Sequence, residues 1–139
     1  MDKIDVYKEI GITYRYFLDW RHKLLAGYLI TVSGIAIGFS WGYTNPSIKP
    51  LSWLILLMGF IVTIIFLCLD IRNRKLYHIC QKSGAKIELY EKLNDGQGVY
   101  TELVNSKSWL SHSIVLNVMY GLAAIVFLLA SIYVGLFKP

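Results

Sequence analysis

A cluster of basic side chains past the middle of the chain is the part of the sequence best suited to chemistry. It follows directly on a long apolar run and contains Arg72, Asn73, Arg74, Lys75 and His78. Guanidinium and imidazole groups bind phosphates and transfer protons, so this cluster could cleave a phosphate ester or hold an anion. It could also be only the polar end of a helix, and spacing is the first test.

Phosphate cleavage needs Arg72 and His78 to meet at one phosphate. Their arrangement, Arg-Asn-x4-His, is the loose signature of HEPN-type ribonucleases. On an uninterrupted helix, six residues rotate by about 600° and leave the two side chains roughly 120° apart. Arg74 and His78 do share a helix face, but they lack the spacing of the signature. We therefore predict that the cluster is not catalytic.

Other enzyme classes find no better support. The three histidines, His22, His78 and His112, show no metal-ligand spacing with cysteines or carboxylates. The sequence has no Gly-rich phosphate loop, no nucleophile elbow and no paired carboxylates. We predict a protein that is not an enzyme and that has no cofactor and no metal.

Two interpretations of the basic cluster remain open. In the first, it is a positively charged collar whose side chains reach the lipid headgroups at the end of a membrane helix. In the second, the collar also binds an anionic ligand such as a nucleotide or RNA. The residues that would bind this ligand are Arg72, Arg74, Lys75 and His78.

The elements that carry the cluster are apolar to an unusual degree. Of 139 residues, 55% are hydrophobic and only 17% are charged, which leaves too little polar surface for a soluble domain of this size. Residues 24–43, 51–69 and 113–137 contain no Lys, Arg, Asp or Glu. Each run reaches the roughly 20 residues that a helix needs to cross a bilayer. The sequence predicts an all-α membrane protein, with one membrane domain over residues 1–139 and three transmembrane helices.

The distribution of Lys and Arg predicts the orientation in the membrane. Residues 1–23 carry five of these cations and the connection 70–112 carries seven, whereas residues 44–50 and the tail carry one each. Cationic flanks stay in the cytoplasm, so we expect a cytoplasmic N-terminus and a periplasmic C-terminus in the bacterial inner membrane. The net charge of +5 then needs no nucleic-acid partner. We also expect the first span to be retained rather than cleaved as a signal peptide.

The segments outside the spans give weaker signals. Residues 1–23 predict an amphipathic cytosolic lead helix, interrupted near Gly11, and the periodicity beyond span two predicts a cytosolic helical extension, bent at Gly84. The stretch "VYTELV" fits a short strand or a helical turn equally well. Ser106 or Ser108 could cap span three, with Trp109 at the interface.

Small residues mark two of the three spans. Gly34, Gly38 and Gly42 form two overlapping GxxxG patterns in span one, and a matching stripe in span three runs through Asn117, Gly121, Ala124, Leu128, Ser131 and Gly135. Such faces permit close backbone contact in lipid. Span two is bulky and is expected to face lipid.

The small-residue faces leave two alternatives open. Spans one and three pack on each other within one monomer, or one face packs between subunits and builds a ring with a central pore. Asn117 would then either bond a neighbouring helix or line the pore. Proton pumps and ion-coupled transporters usually need charged residues inside the membrane, and the spans contain none.

A resemblance to a known group rests on the order of these segments. "FLDWRHKLL" ends the lead helix, a two-span hairpin follows, "LDIRNRKLYHICQKSGAKIELYE" leaves the membrane, and a later span completes the layout. This layout resembles that of the RipA-type small oligomeric bacterial membrane proteins. That group is similar to the membrane accessory proteins of type VI-B CRISPR loci and to the small membrane effectors of anti-phage systems.

The resemblance implies a homo-oligomer that forms a pore in the inner membrane, or perturbs it, during phage defence. It also implies a trigger at the cytosolic face, either a soluble defence partner or a nucleotide or RNA. The competing hypothesis is a non-conducting scaffold that anchors a soluble partner through the basic connection 70–112. The residues assigned to helix packing or to the pore are Gly34, Gly38, Gly42, Asn117, Gly121 and Ser131.

Overall fold

The chain is almost entirely helical in the part that the computed structural model describes, which comprises residues 3–91, 98–105 and 112–137. The helices are α1 (Lys3–Thr44), α2 (Ser52–Tyr90), α3 (Val99–Asn105) and α4 (His112–Phe137), with a 3₁₀ turn at Lys49–Leu51 before α2. Three of the helices contain windows long and apolar enough to cross a membrane. These are the three spans predicted from composition, and the described residues contain no strand.

Helix α1 runs without a break for 42 residues, so the predicted interruption near Gly11 is wrong. A glycine inside a helix costs only about 0.5–1 kcal/mol, which the long helix on either side tolerates. The helix ends where Pro46 removes a backbone donor. Asn45 then forms a tight turn, because its side-chain oxygen accepts the Ser47 N–H at 3.2 Å and its carbonyl accepts the Lys49 N–H at 2.8 Å.

The described helices form two compact units. We call Met1–Lys23 with Asp70–Trp109 the polar unit, and Leu24–Leu69 with Leu110–Pro139 the apolar unit. The polar unit contains the start of α1, the second half of α2, and α3. The apolar unit contains the three runs that are long and apolar enough to cross a membrane.

The core of the apolar unit is built from aromatic rings. Tyr28 of α1 and Tyr120 of α4 are 2% and 1% exposed, with ring centroids 4.7 Å apart and Leu116 beside them. The Tyr28 hydroxyl lies 3.3 Å from the Thr63 hydroxyl of α2, so its polar atom is satisfied within the core. Spans one and three therefore contact each other through bulky side chains.

Span two contacts both of the other spans and also exposes large apolar side chains, among them Leu54, Met58 and Ile61. Thr63 is fully buried against Tyr28 of α1. On the same face of α2, a Cβ at Gly59 would lie 2.7 Å from the Phe127 ring, and near the start of the helix the Ser131 hydroxyl donates to the Trp53 carbonyl at 3.1 Å. A bulky apolar sequence does not separate a lipid-facing surface from a helix-facing one, because both environments are apolar.

The polar unit answers the question left open for "VYTELV": this stretch is helical, within α3. Its one buried residue is Tyr100, at 7% exposure. Helix α2 continues to Tyr90 and carries the basic cluster on its second half. The predicted cap at Ser106 or Ser108 and the interfacial Trp109 lie outside the described residues.

Candidate functional site

One face of α2 in the polar unit is lined by buried polar side chains. It passes through Asp70, Asn73, Gln81 and Glu88, and all four are at most 7% exposed. Their separations are sums of three- and four-residue steps, which keep side chains on one side of a helix. Buried polar groups need partners, and α1 and α3 provide them.

An ion-pair cluster occupies the first turn of this face. Asp70, 1% exposed, lies between two guanidinium groups: Arg21 Nε is 3.0 Å from its Oδ1 and Arg74 Nε is 3.2 Å from its Oδ2. The Arg21 side chain is 9% exposed and that of Arg74 is 15% exposed. Removing the carboxylate would leave two nearly buried cations without their counter-charge, so Asp70 holds α1 against α2 at this level.

The next turns of the face are joined to α1 by amide groups. Asn73 Nδ2 donates to the Phe17 carbonyl at 2.9 Å, and Gln81 Nε2 donates to the Tyr14 hydroxyl at 3.2 Å. His78 lies at the edge of this group, with Nδ1 2.8 Å from Gln81 Oε1. Asn73 thus has a structural role, although the sequence placed it in a signature of catalysis.

A carboxylate clasp holds α3 to the rest of the polar unit. Glu88, 2% exposed, accepts hydrogen bonds from the Tyr100 N–H at 3.0 Å, the Thr101 N–H at 2.7 Å, and the Thr101 and Tyr7 hydroxyls, each at 2.7 Å. The two amides belong to the first turn of α3, where helical N–H groups have no partner of their own. The Glu88 side chain of α2 therefore accepts hydrogen bonds from the first amides of α3. Because it also accepts one from Tyr7, it joins α3 to α1.

The clasp changes the acidity of its members. Burial alone would raise the pKa of Glu88, but the hydrogen bonds from Tyr100, Tyr7 and Thr101 favour the ionised form and hold its pKa below the ordinary 4.5. Burial and the adjacent Glu88 carboxylate raise the pKa of Tyr7 to about 12. The clasp is therefore an ionised carboxylate facing a neutral phenol across the neutral range of pH.

Two glycines make room for the clasp. A Cβ on Gly84 would overlap the ring of Tyr100, and a Cβ on Gly98 would lie 2.9 Å from Glu88 Oε2. The ring of Tyr100 meets the rings of Tyr7 and Tyr14 edge-on, with centroids 5.5 and 5.7 Å apart. The Tyr100 side chain, in the first turn of α3, thus packs against two tyrosine rings of α1.

An open groove lies beside these tyrosine rings, between α1 and α3. Its volume is about 600 Å³, and most of its lining is apolar or aromatic, with Ile12, Val99 and Leu103 on its walls. Lys8 and Arg15 are its two cationic lining residues. The groove has the size of a small-ligand site but is lined almost entirely by apolar surface.

The basic cluster divides into residues with different environments. Arg72, Lys75 and His78 are exposed, whereas Arg74 is engaged with Asp70. Arg74, the fourth cationic or titratable residue of the predicted set, pairs with a buried carboxylate one helical turn away, at 3.2 Å. The proposed ligand set retains Arg72, Lys75 and His78 as exposed groups.

The small residues of spans one and three have different surroundings in the monomer. A Cβ built on Gly34, Gly38 or Gly121 would have no neighbour within 4 Å, whereas one on Gly42 would lie 3.1 Å from Ile55 Cδ1. Ser131 bonds to Trp53, and Asn117 lies on an exposed part of α4. Within the monomer, spans one and three do not pack through these glycines.

No group of three or more metal-ligating side chains comes together within the residues that the structure describes. Comparison with protein-family models, curated proteins and solved structures finds no match to this chain. Function must therefore be argued from the helices and from their surfaces.

Sequence reasoning missed the acidic half of the site. Asp70 and Glu88 are the only carboxylates in the second half of α2, and they lie 18 residues, or about five turns, apart on one face. Two isolated acids at that spacing in a basic helix indicate buried partners. Their partners on α1 and α3 carry no sequence signal, because Arg21, Tyr7 and Thr101 are ordinary surface residue types.

Proposed function

We propose that the chain assembles as a homo-oligomer in the bacterial inner membrane and there forms a pore or otherwise perturbs the bilayer, as an effector of phage defence. The observation that carries the oligomer is the set of open glycines on spans one and three, Gly34, Gly38 and Gly121. In lipid, helices associate through close packing of such small residues. Since a side chain at these glycines would meet no other part of the described monomer within 4 Å of its Cβ, a neighbouring copy is the partner that this proposal assigns to them.

The proposal that several copies enclose a pore rests on the small size of the monomer. Three apolar helices leave little interior of their own, so a conducting path needs several copies around an axis. The spans contain no charged residue, which argues for passive permeation rather than coupled transport. The defence role is drawn from the resemblance described above, and phage plating on cells with and without the protein tests it.

Release of a trapped dye from vesicles tests the pore. Purified protein should release the dye, and Gly38→Leu should reduce release because a large side chain then covers the open glycine face. Ala36→Leu is the matched control, since Ala36 is exposed on another side of the same helix turn. Equal release by the wild type and Gly38→Leu would remove this face from the proposal.

The orientation is part of the proposal, with the N-terminus cytoplasmic and the C-terminus periplasmic. A reporter active only in the periplasm should signal when fused after Pro139 and stay silent when fused at Gly96. Signal from the Gly96 fusion alone would invert the proposed arrangement.

The alternative function is a non-conducting scaffold that anchors a soluble partner. The groove beside α3 favours it, because a cleft of about 600 Å³ with exposed apolar walls can receive a side chain or a short peptide. A scaffold would leave vesicles sealed at any protein density. Dye release therefore separates the two functions.

A further inference from the structure

The outward surface of α1 in the polar unit is acidic and apolar. Five exposed residues, separated by steps of four and three, follow one side of the helix: Asp5, Glu9, Ile12, Tyr16 and Asp19. Ile12 and Tyr16 are 60% and 61% exposed, which is high for such large apolar side chains. We call these five residues the acidic face. Lys23 is paired with Asp19 at its end, at 2.7 Å.

The outward surface of α2 in the same unit is basic and apolar. Its exposed residues follow steps of three and four: Arg72, Lys75, Ile79, Lys82 and Lys86. We call these five residues the basic face. Asp70 and Glu88, the two carboxylates of this part of α2, are buried and engaged elsewhere, so they do not neutralise it.

The two faces point away from each other. On α1, Tyr7, Tyr14 and Arg21 contact α2, and at 100° per residue the acidic face is centred on the opposite side of the helix. On α2, the residues that receive these contacts, such as Glu88 and Asp70, are likewise opposite the basic face. The polar unit thus carries opposite charges on its two outer sides.

The charges also lie at matching levels along the unit. Helices α1 and α2 run antiparallel, since Arg21 contacts Asp70 at one end and Tyr7 contacts Glu88 at the other. Counting along the helices from the Arg21–Asp70 contact puts Asp19 level with Arg72.

Counting from the Tyr7–Glu88 contact puts Glu9 level with Lys86. The apolar residues Ile12 and Ile79 fall between these charged levels. Each face therefore has an apolar side chain in its middle, and the negative charge of the acidic face lies mainly at its Asp5–Glu9 end, because Asp19 is paired with Lys23.

We propose that the acidic face of one copy binds the basic face of the next copy, head to tail. This inference rests on the proposed homo-oligomer and adds a named interface to it. Two different surfaces meeting in this way form a heterologous contact, which closes into a ring when the rotation allows it. Complementary charges at matched levels select the register, while Ile12, Tyr16 and Ile79 provide the apolar centre.

Charge reversal tests the interface with the full chain in detergent. The acid-reversed chain carries Asp5→Lys and Glu9→Lys, and the base-reversed chain carries Lys82→Glu and Lys86→Glu. Each chain alone has like charges on both faces, so its mass should fall from that of the oligomer to that of the 15.9 kDa protomer. Co-expression should make the two chains associate and co-purify, because a contact between one chain and the other joins opposite charges.

A control carries the same charge change in another place. Lys8→Glu with Arg15→Glu alters the groove cations without touching the basic face, and its oligomer mass should match the wild type. If a reversed chain fails to accumulate alone, recovery of both chains on co-expression still supports the interface.

Three results would overturn the inference. The first is an unchanged oligomer mass in both reversed chains. The second is failure of the two reversed chains to associate with each other on co-expression. The third is loss of binding to a single-stranded RNA oligonucleotide in the base-reversed chain with its oligomer mass intact, which would assign the basic face to a polyanion. Each leaves the pore proposal standing, because vesicle release by the wild type is measured separately.

Discussion

Replacement of Glu88 by glutamine is a sharp test of the clasp that holds α3. The carboxylate accepts from two backbone amides and two hydroxyls at 2.7–3.0 Å, and it is 2% exposed. Glutamine has nearly the same shape, but one of its terminal atoms is an NH₂ donor. In either orientation this NH₂ faces the backbone N–H of Tyr100 or of Thr101, and two donors cannot bond. The hydroxyls can rotate to accept from it, whereas a backbone amide cannot.

The magnitude follows from the groups that lose their partners. A buried N–H without an acceptor costs about 1–3 kcal/mol, and the remaining hydrogen bonds lose the extra strength of a charged acceptor. We expect Glu88→Gln to lower the free energy of opening α3 by about 2–4 kcal/mol. Since 1.4 kcal/mol is about tenfold, exchange of the Tyr100 and Thr101 amides should accelerate roughly 30-fold to several-hundred-fold.

Hydrogen–deuterium exchange of the purified protein measures this effect at the two amides. Glu102→Gln is the matched control, because Glu102 is exposed on the same helix and should change their exchange far less. Exchange at Tyr100 and Thr101 that is the same in Glu88→Gln as in the wild type would refute the clasp.

The clasp also predicts a dependence on pH. The folded state lowers the pKa of Glu88 below 4.5, so the protection that Glu88 provides is complete above that pH and is lost as the pH falls through the folded value. After correction for intrinsic exchange rates, this acid-side loss should be present in the wild type and absent from Glu88→Gln.

Four further substitutions separate structural residues from exposed ones. Gly84→Ala should destabilise the polar unit by about 1–3 kcal/mol in thermal unfolding, because the new methyl group overlaps the Tyr100 ring. Asp70→Asn should cost about 3–5 kcal/mol because it removes the counter-charge of two nearly buried arginines, whereas exposed Arg72→Gln should change stability by less than about 0.5 kcal/mol. His78→Ala should leave dye release unchanged, since His78 is exposed and bonds only Gln81; loss of release with an intact oligomer would revive a catalytic role.

The three apolar helices could be predicted from the sequence, because local composition alone determines them. Runs without charge identify the three spans, because a charged side chain in hydrocarbon is costly wherever it falls. The helical turn of α3 was not decided by its own residues, since "VYTELV" has β-branched and aromatic residues that also suit a strand. Glu88, more than ten residues earlier in the chain, satisfies its first amides and so favours the helix.

The candidate site was harder to predict, because its contacts join residues far apart in sequence. Arg74 looked like one more cation of the basic cluster, but its partner Asp70 is buried only once α1 supplies Arg21. The glycine stripes were recognisable from spacing alone, yet spacing cannot tell an intramolecular neighbour from a second copy. In the folded chain Gly42 has a neighbour and Gly34 has none.

The central claim is that several copies of this chain make a conducting path, and current across a planar bilayer tests it most directly. Purified wild-type protein should produce discrete, reversible current steps of one recurring size, as expected for a closed assembly of fixed subunit number. Gly38→Leu, at equal protein density, should lose these steps, while Ala36→Leu keeps them. A bilayer that contains the wild-type protein at confirmed density and carries no more current than lipid alone would contradict the account.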